Sequence, residues 1–270
     1  MAEWLPIIMA LLVTGVAAGI LAGLLGVGGG IVIVPVLFLV FQSLEISASS
    51  AMSIATATSL MTIIPTSISS ARSHHKRGNV DLALIKAWII PMLFGVFVGS
   101  IAATRLDGMV LTLIFGVVAM AVALNMLLRA KAPPLFTQLP ALPIQGFLAS
   151  LVGLFSVLMG IGGGTLGVPI MTSFNITAHR AVGTAALFGL IIALPGSLIL
   201  LFSGTTPVDA PLGTVGLVNL PGFALILPMT TLMAPIGVRI GSKLDGNKLK
   251  KVFACFLLLV ASRMLFQALT

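Results

Sequence analysis

Gly26-Val27-Gly28-Gly29-Gly30-Ile31-Val32-Ile33-Val34-Pro35 and Gly160-Ile161-Gly162-Gly163-Gly164-Thr165-Leu166-Gly167-Val168-Pro169 are one pattern that occurs twice. Each is a glycine-rich break inside a long apolar run. A helix broken there frees backbone N–H and C=O groups that hydrocarbon cannot satisfy, so such breaks are tolerated only where protein or a polar cavity surrounds them. The pieces on either side are unequal. A run of about Leu5 to Leu25 precedes the first break and a short run of about Ile31 to Phe41 follows it, with no charge between them. At about 1.5 Å per residue the short run reaches only about half the hydrocarbon core.

The chain around these breaks is apolar almost throughout. Of 270 residues, 59% are hydrophobic and 7% charged, whereas a soluble domain carries about 25% charged residues. Successive spans of about 20 apolar residues make this a polytopic, all-α integral membrane protein. The net charge of +8 does not point to nucleic acid, because the charges sit in short loops between spans. Cys255 is the single cysteine. It has no disulfide partner and reads as a small buried packing residue. Met1-Ala2-Glu3-Trp4 has no basic n-region. A cleaved signal peptide is therefore not expected, and Trp4 reads as an interfacial residue before the first span.

In chain order, Gly15, Gly19 and Gly23 lie on one helical face of the first span, where small residues let backbones approach. A hydroxyl-rich span, about Ala51 to Ser70, follows Glu45 and a serine-rich turn. It carries Ser53, Thr56, Thr58, Ser59, Thr62, Thr66 and Ser67, enough to mark a polar path. A basic loop from Arg72 to Arg77, containing His74 and His75, is expected next, then spans at about 82–104 and 109–128. The second half runs through the same plan. Gly26 and Gly160 are 134 residues apart, Pro65 and Pro195 are 130 apart, and Leu106-Asp107-Gly108 stands 138 before Leu244-Asp245-Gly246. The chain therefore reads as a first transmembrane repeat over 1–130, a cytoplasmic linker over 131–143 and a second transmembrane repeat over 144–270.

Charge sets the orientation. With the Arg72 to Arg77 loop placed in the cytoplasm, alternation of spans puts twelve Lys and Arg inside, including Arg129, Lys131 and Arg180, and only Arg105 and Arg263 outside. The loop after Pro65 is then inside and the equivalent loop after Pro195 outside, so the halves are inverted repeats of about five helical pieces each. Both termini are expected outside, in a multi-pass inner-membrane protein. Inverted repeats with helices broken near the midplane are typical of secondary transporters.

The breaks also carry the chemistry. Each leads into a short helix whose free N–H groups hold about half a positive charge, a ready site for an anion. All six acids, Glu3, Glu45, Asp81, Asp107, Asp209 and Asp245, lie at span ends or in loops. No carboxylate is left in mid-span to hold a cation or relay a proton. The neutral donors that remain are backbone N–H groups and the hydroxyls of Ser53, Thr56, Thr58, Thr165 and Thr184, which suit an oxyanion. His74, His75 and His179 lie at the cytoplasmic edge on this reading and are poor proton relays. No P-loop, HExxH or Cys/His metal pattern is present, so no enzyme activity, metal or cofactor is expected.

The paired Gly-x-Gly-Gly-Gly-x4-Pro elements, with Ala51-Met52-Ser53 and Ala181-Val182-Gly183-Thr184 behind them, resemble the TauE/SafE sulfite exporter family over nearly the whole chain. The resemblance implies secondary transport of a small sulfur-containing anion: sulfite, a sulfonate or another organosulfur acid. It assigns Gly28, Gly29, Gly30, Gly162, Gly163 and Gly164 to the substrate turns, and the hydroxyls of Ser53, Thr56, Thr165 and Thr184 complete the expected site. This chain has Ile54 where the second half has Thr184. A passive anion channel and a cargo-free membrane scaffold are the alternatives. Expected partners are the small anion and the lipid bilayer, with no nucleic acid; a homo-oligomer is left open, as are cargo identity, direction and coupling ion.

Overall fold

The computed structural model describes residues 4–128, 135–244 and 246–269. They form ten helices: α1 (Trp4–Leu25), α2 (Gly30–Ser43), α3 (Ala48–His75), α4 (Leu82–Ala103), α5 (Gly108–Leu128), α6 (Leu142–Leu158), α7 (Gly164–Ser173), α8 (Ala178–Ser203), α9 (Leu220–Gly241) and α10 (Gly246–Leu269). Six of them, α1, α3, α4, α5, α8 and α9, are long and apolar enough to cross a membrane. The protein is an all-α membrane protein, as its composition requires. Residues 131–134 of the expected linker, with Lys131, as well as Arg129 and Asp245, lie outside the described residues.

Helix α3 forms the centre, with 72% of its most apolar stretch buried and α8 next at 50%. The outer helices bury only 28% to 39% of theirs. They turn large apolar side chains outward, such as Met9, Ile90, Phe97 and Leu232, the surface a bilayer solvates.

Helix pairing is reciprocal. α1 packs on α9 and α6 on α4, α2 on α3 and α7 on α8, α3 on α9 and α8 on α4, while α3 pairs with α8 and α5 with α10. Exchanging the halves maps each of these pairs onto another or onto itself. Small residues make the closest contacts, as sequence spacing predicts: Gly19 lies against Thr230 and Met233, Gly23 against Ala234 and Val238. On the other side Gly95 meets Ser150, and Gly99 meets Leu154.

The molecule has two polar ends. At one, the start of α3 is held by two carboxylates: Ser49 Oγ donates to Asp107 at 2.9 Å, and Ser50 Oγ and Ser47 N donate to Asp209 at 2.6 and 2.9 Å. Gln267 near the end of α10 bonds to Gln42 at the end of α2 there. At the other end Arg77 donates to Ser242 at 2.6 Å, Arg180 pairs with Asp81 at 3.0 Å, and Phe136 N donates to Ser173 O. Helix α3 thus runs from the acid-clamped end to the basic end, and α8 runs back. The α1–α2 segment enters and leaves at the first end, and α6–α7 at the second.

The turn that closes each broken segment is the same to the atom. Leu44, Glu45 and Ile46 donate to Phe41, Gln42 and Phe41; 130 residues on, Phe174, Asn175 and Ile176 donate to Met171, Thr172 and Met171. Glu45 and Asn175 both hold a left-handed backbone, at φ 63° and 65°. Asparagine tolerates this and glutamate does not, so Glu45→Gly is expected to stabilise the protein by about 0.5–1 kcal/mol after glycine's own entropy cost, read as a higher melting temperature in detergent.

Three details correct the sequence reading. The basic stretch from Arg72 to His75 is not a loop: α3 continues through it to His75 and is capped by Lys76, with the turn completed by left-handed Gly78 at φ 71°. Cations in the last helical turn match the helix dipole, so charge alone does not stop the helix. The long loop before α9 contains a hairpin, Thr214–Val215 paired with Val218–Asn219. Cys255 is exposed; helical periodicity turns its neighbours Ala254 and Leu257 inward instead.

Asp209 belongs to that loop and is held by Ser50 first and Ser47 second, which lower its pKa from the usual 3.8 to about 2. A carboxylate depressed in the folded state contributes above its unfolded pKa, and the contribution is lost as pH falls towards 2. Hydrogen exchange at residues 47–50 is therefore expected to stay slow at pH 4 and to quicken towards pH 2. In Asp209→Asn it should be fast at both.

Candidate functional site

The two glycine turns meet in the middle of the bundle. Gly162 N donates to Val27 O at 3.2 Å. Gly30 faces Gly160 O and the Ile161 backbone, and Gly164 faces Gly26 O and Val27 Cα. Gly28 and Gly30 also lie against Ile63, about halfway along α3, and Gly163 against Phe188 and Ile192, about halfway along α8. Of the six glycines expected at the site, Gly28, Gly30, Gly162 and Gly164 face the opposite turn, while Gly29 faces Ala18 of α1 and Gly163 faces α8. Phe188 is itself braced from behind by Trp88, stacked at 5.5 Å, whose Nε1–H donates to Gln145 at 3.1 Å.

The turns differ in how they use glycine. The first needs left-handed backbone at Gly26, Gly28 and Gly29, with φ of 67°, 71° and 84°. In the second only Gly160 is left-handed, at 66°. Gly162, Gly163 and Gly164 are there for closeness: a Cβ on each would strike Val27 O, Phe188 Cβ and Gly26 O respectively.

Short helices α2 and α7 start at this junction, and their first amides lie there without hydrogen-bond partners. Among the described residues, the N–H groups of Gly28, Gly29, Gly30 and Ile31 and of Gly163, Gly164, Thr165 and Leu166 make no hydrogen bond. A helix leaves its first amides unpaired by construction, but burial makes each costly, and buried polar groups are ordinarily paired. Gly28 to Ile31 and Gly163 to Thr165 are all buried. Two side chains repeat the condition: Thr56 and Thr165 are 1% and 0% exposed, and neither hydroxyl has a partner. Thr56 packs its backbone against Gly160, and Thr165 follows Gly164 in the first turn of α7. Two dipole ends, eight free amides and two free hydroxyls make an electropositive, donor-rich junction with no carboxylate in it.

The remaining expected residues lie further out and are engaged. Ser53 Oγ donates to Ser49 O at 3.1 Å, one turn into α3. Thr184 Oγ donates to Arg180 O at 2.8 Å and accepts from Asp81 N at 2.9 Å. Thr58 mirrors it, accepting from Asn219 N at 2.8 Å. Asp81 caps α4 and Asn219 caps α9, so each central helix uses a threonine to hold the start of a flanking helix. Sequence reading took this pair as anion donors rather than anchors, and Ser59 as part of a polar path, whereas its Oγ donates to Gly160 O at 2.7 Å and fixes the second turn. Hydroxyl density gave the only signal, and it does not separate anchoring hydroxyls from free ones.

Comparison with known proteins places the chain among membrane transporter proteins. The family model described as sulfite exporter TauE/SafE matches residues 11–264. A probable membrane transporter protein of Haemophilus influenzae is 33% identical over 258 residues, covering 95% of this chain and 97% of its own. A probable membrane transporter protein of Methanocaldococcus jannaschii is 28% identical, with 94% of each chain covered. Another from Bacillus subtilis, YunE, is 25% identical over 96% of this chain and 97% of its own. No solved structure matches the chain.

Proposed function

We propose, from the premise that this chain belongs to the TauE/SafE family of sulfite exporters, that it is a secondary transporter moving a small sulfur-containing anion across the inner membrane by alternating access. The junction of the two glycine turns carries the reading. It offers unpaired N–H and O–H donors to an oxyanion, and among the described residues no carboxylate to repel it. The anion sits among the amides of Gly28–Ile31 and of Gly163–Leu166, with the hydroxyls of Thr56 and Thr165. Ser53 and Thr184 lie outside it on the path to either face. The turns touch through the Gly162–Val27 bond, so an anion entering between them parts them. Binding and opening are then one event, as alternating access requires.

The two halves act as inverted repeats over 1–130 and 144–270. The opposite courses of α3 and α8 and the reciprocal packing support this. The basic end, with Arg77, Arg180 and Arg239, is the cytoplasmic one by the positive-inside rule. Both termini then lie outside, which fits the start of α1 and the end of α10 at the acid-clamped end. The protein carries out no bond chemistry on this account.

Counterflow in liposomes tests the function. Vesicles loaded with sulfite, thiosulfate or a sulfonate should accumulate trace labelled substrate against its gradient, and Gly163→Leu should abolish this while the protein still inserts. A channel would show no such overshoot, and transport surviving in Gly163→Leu would exclude the junction as the site.

A further inference from the structure

The hydroxyl-rich face of α3 does not end at the glycine turns. Ser67, Ser70 and His74 follow Ile63 at helical spacing, on one face running from the turns to the basic end. Ser67 and Ser70 are 0% and 1% exposed and His74 is 5% exposed. Each has a buried polar atom without a partner: Ser67 Oγ, Ser70 Oγ and His74 Nδ1. Ser67 Oγ lies against Gly189, so the track reaches α8 as well.

His74 is held in a defined state. Its Nε2 lies 3.0 Å from Gly23 O. A carbonyl only accepts, so Nε2 carries the hydrogen and Nδ1 of the neutral ring is a bare acceptor. Gly23 is in the last turn of α1, three residues before the first glycine turn. Carbonyls there form the negative end of the helix dipole, where a cation is favoured. A small cavity at the basic end has His74, Asn79, His179, Leu24, Val238 and Ser242 in its wall.

From this geometry we infer that His74 is a proton-binding site that couples proton movement to the turns, an inference that rests on the transport reading. Water in the cavity delivers a proton to Nδ1, giving an imidazolium. The Nε2–H bond to Gly23 O becomes charge-assisted and tightens α1 against α3. Return of the proton to water restores the neutral ring. Arg77, after α3, and His179, at the start of α8, are the ionisable groups that face His74, with the Asp81–Arg180 pair next to them in sequence. The cavity wall from α1 and α9 presents Leu24, Val238, Gly241 and Ser242 and no ionisable group. Histidine is the residue type whose ordinary titration falls in the physiological range.

Two measurements on the full chain test this. The first needs no substrate: hydrogen exchange of residues 20–31, corrected for intrinsic rate, between about pH 5 and 8. It should slow on the acid side in the wild type and be flat in His74→Gln, whose amide keeps a donor for Gly23 O but does not titrate. The same pH response in both proteins would overturn the inference. His74→Asn carries the comparison if His74→Gln does not fold. The second uses thiosulfate, whose charge is constant over this range. An imposed pH gradient should drive its accumulation in wild-type liposomes, and in His74→Gln the ratio of gradient-driven accumulation to exchange should fall about fivefold or more. An unchanged ratio would overturn the coupling. If the wild type moves no sulfur anion at all, the transport reading fails, and the exchange measurement still decides whether His74 is the switch.

Discussion

Thr165→Val is expected to make the protein more stable and a poorer transporter. The Thr165 hydroxyl is fully buried with no partner in the closed junction. An unsatisfied buried polar group costs about 1–3 kcal/mol, so an apolar side chain of the same shape should raise stability by up to that amount. The same hydroxyl is a donor to the anion. A hydrogen bond to a charged group contributes about 1.5–3 kcal/mol, so apparent affinity should fall about tenfold to a hundredfold. Thr56→Val should behave alike, because Thr56 is equally buried and equally unpaired. Chemical denaturation and counterflow read the two effects separately. A merely structural threonine would lose stability and keep its transport, the opposite signs.

Gly164→Ala is expected to act on the turns themselves. Gly164 is not left-handed, so alanine meets no backbone penalty there. Its Cβ would instead press on the Gly26 carbonyl and stand 2.7 Å from Val27 Cα. Backbone atoms cannot step aside as a side-chain tip can. Overpacking costs about 1–3 kcal/mol, which lowers the population of the closed pair by about 5- to 150-fold. The cycle should stall with the turns apart and transport should fall accordingly, while the protein remains folded. Gly167→Ala is the control. Its nearest neighbours are the Phe188 ring edge at 3.3 and 3.5 Å and the Met171 methyl, contacts that are ordinary or tight by only a few tenths of an ångström, so transport should change little.

Much of this could be read from the residues before any coordinates. The doubled glycine pattern located both turns, because few residues other than glycine fit a left-handed break such as Gly28 or a backbone contact such as Gly164. The charge asymmetry separated the two ends, because Lys and Arg are excluded from hydrocarbon. What escaped was what depends on partners distant in sequence. In sequence, Thr58 and Thr184 look no different from Thr56 and Thr165. Only the approach of Asn219 and Asp81 tells the engaged pair from the free one. His74 looked like a loop residue because it sits among five polar neighbours, Arg72 to Arg77. Its burial is set by α1, whose Gly23 carbonyl receives it. The hairpin at 214–219 was missed for a similar reason: its strands are two residues each, and Asn219 is drawn inward by a hydroxyl on α3.

The central claim is that one small anion parts the two glycine turns and takes their unpaired amides. The direct test is an experimental structure with a selenium oxyanion, selenite or selenate, located by anomalous scattering. The account predicts one peak between the amides of Gly28–Ile31 and Gly163–Leu166, within hydrogen-bond distance of Thr56 and Thr165, with the Gly162–Val27 bond broken. A peak elsewhere, with the turns still joined through that bond, would contradict it.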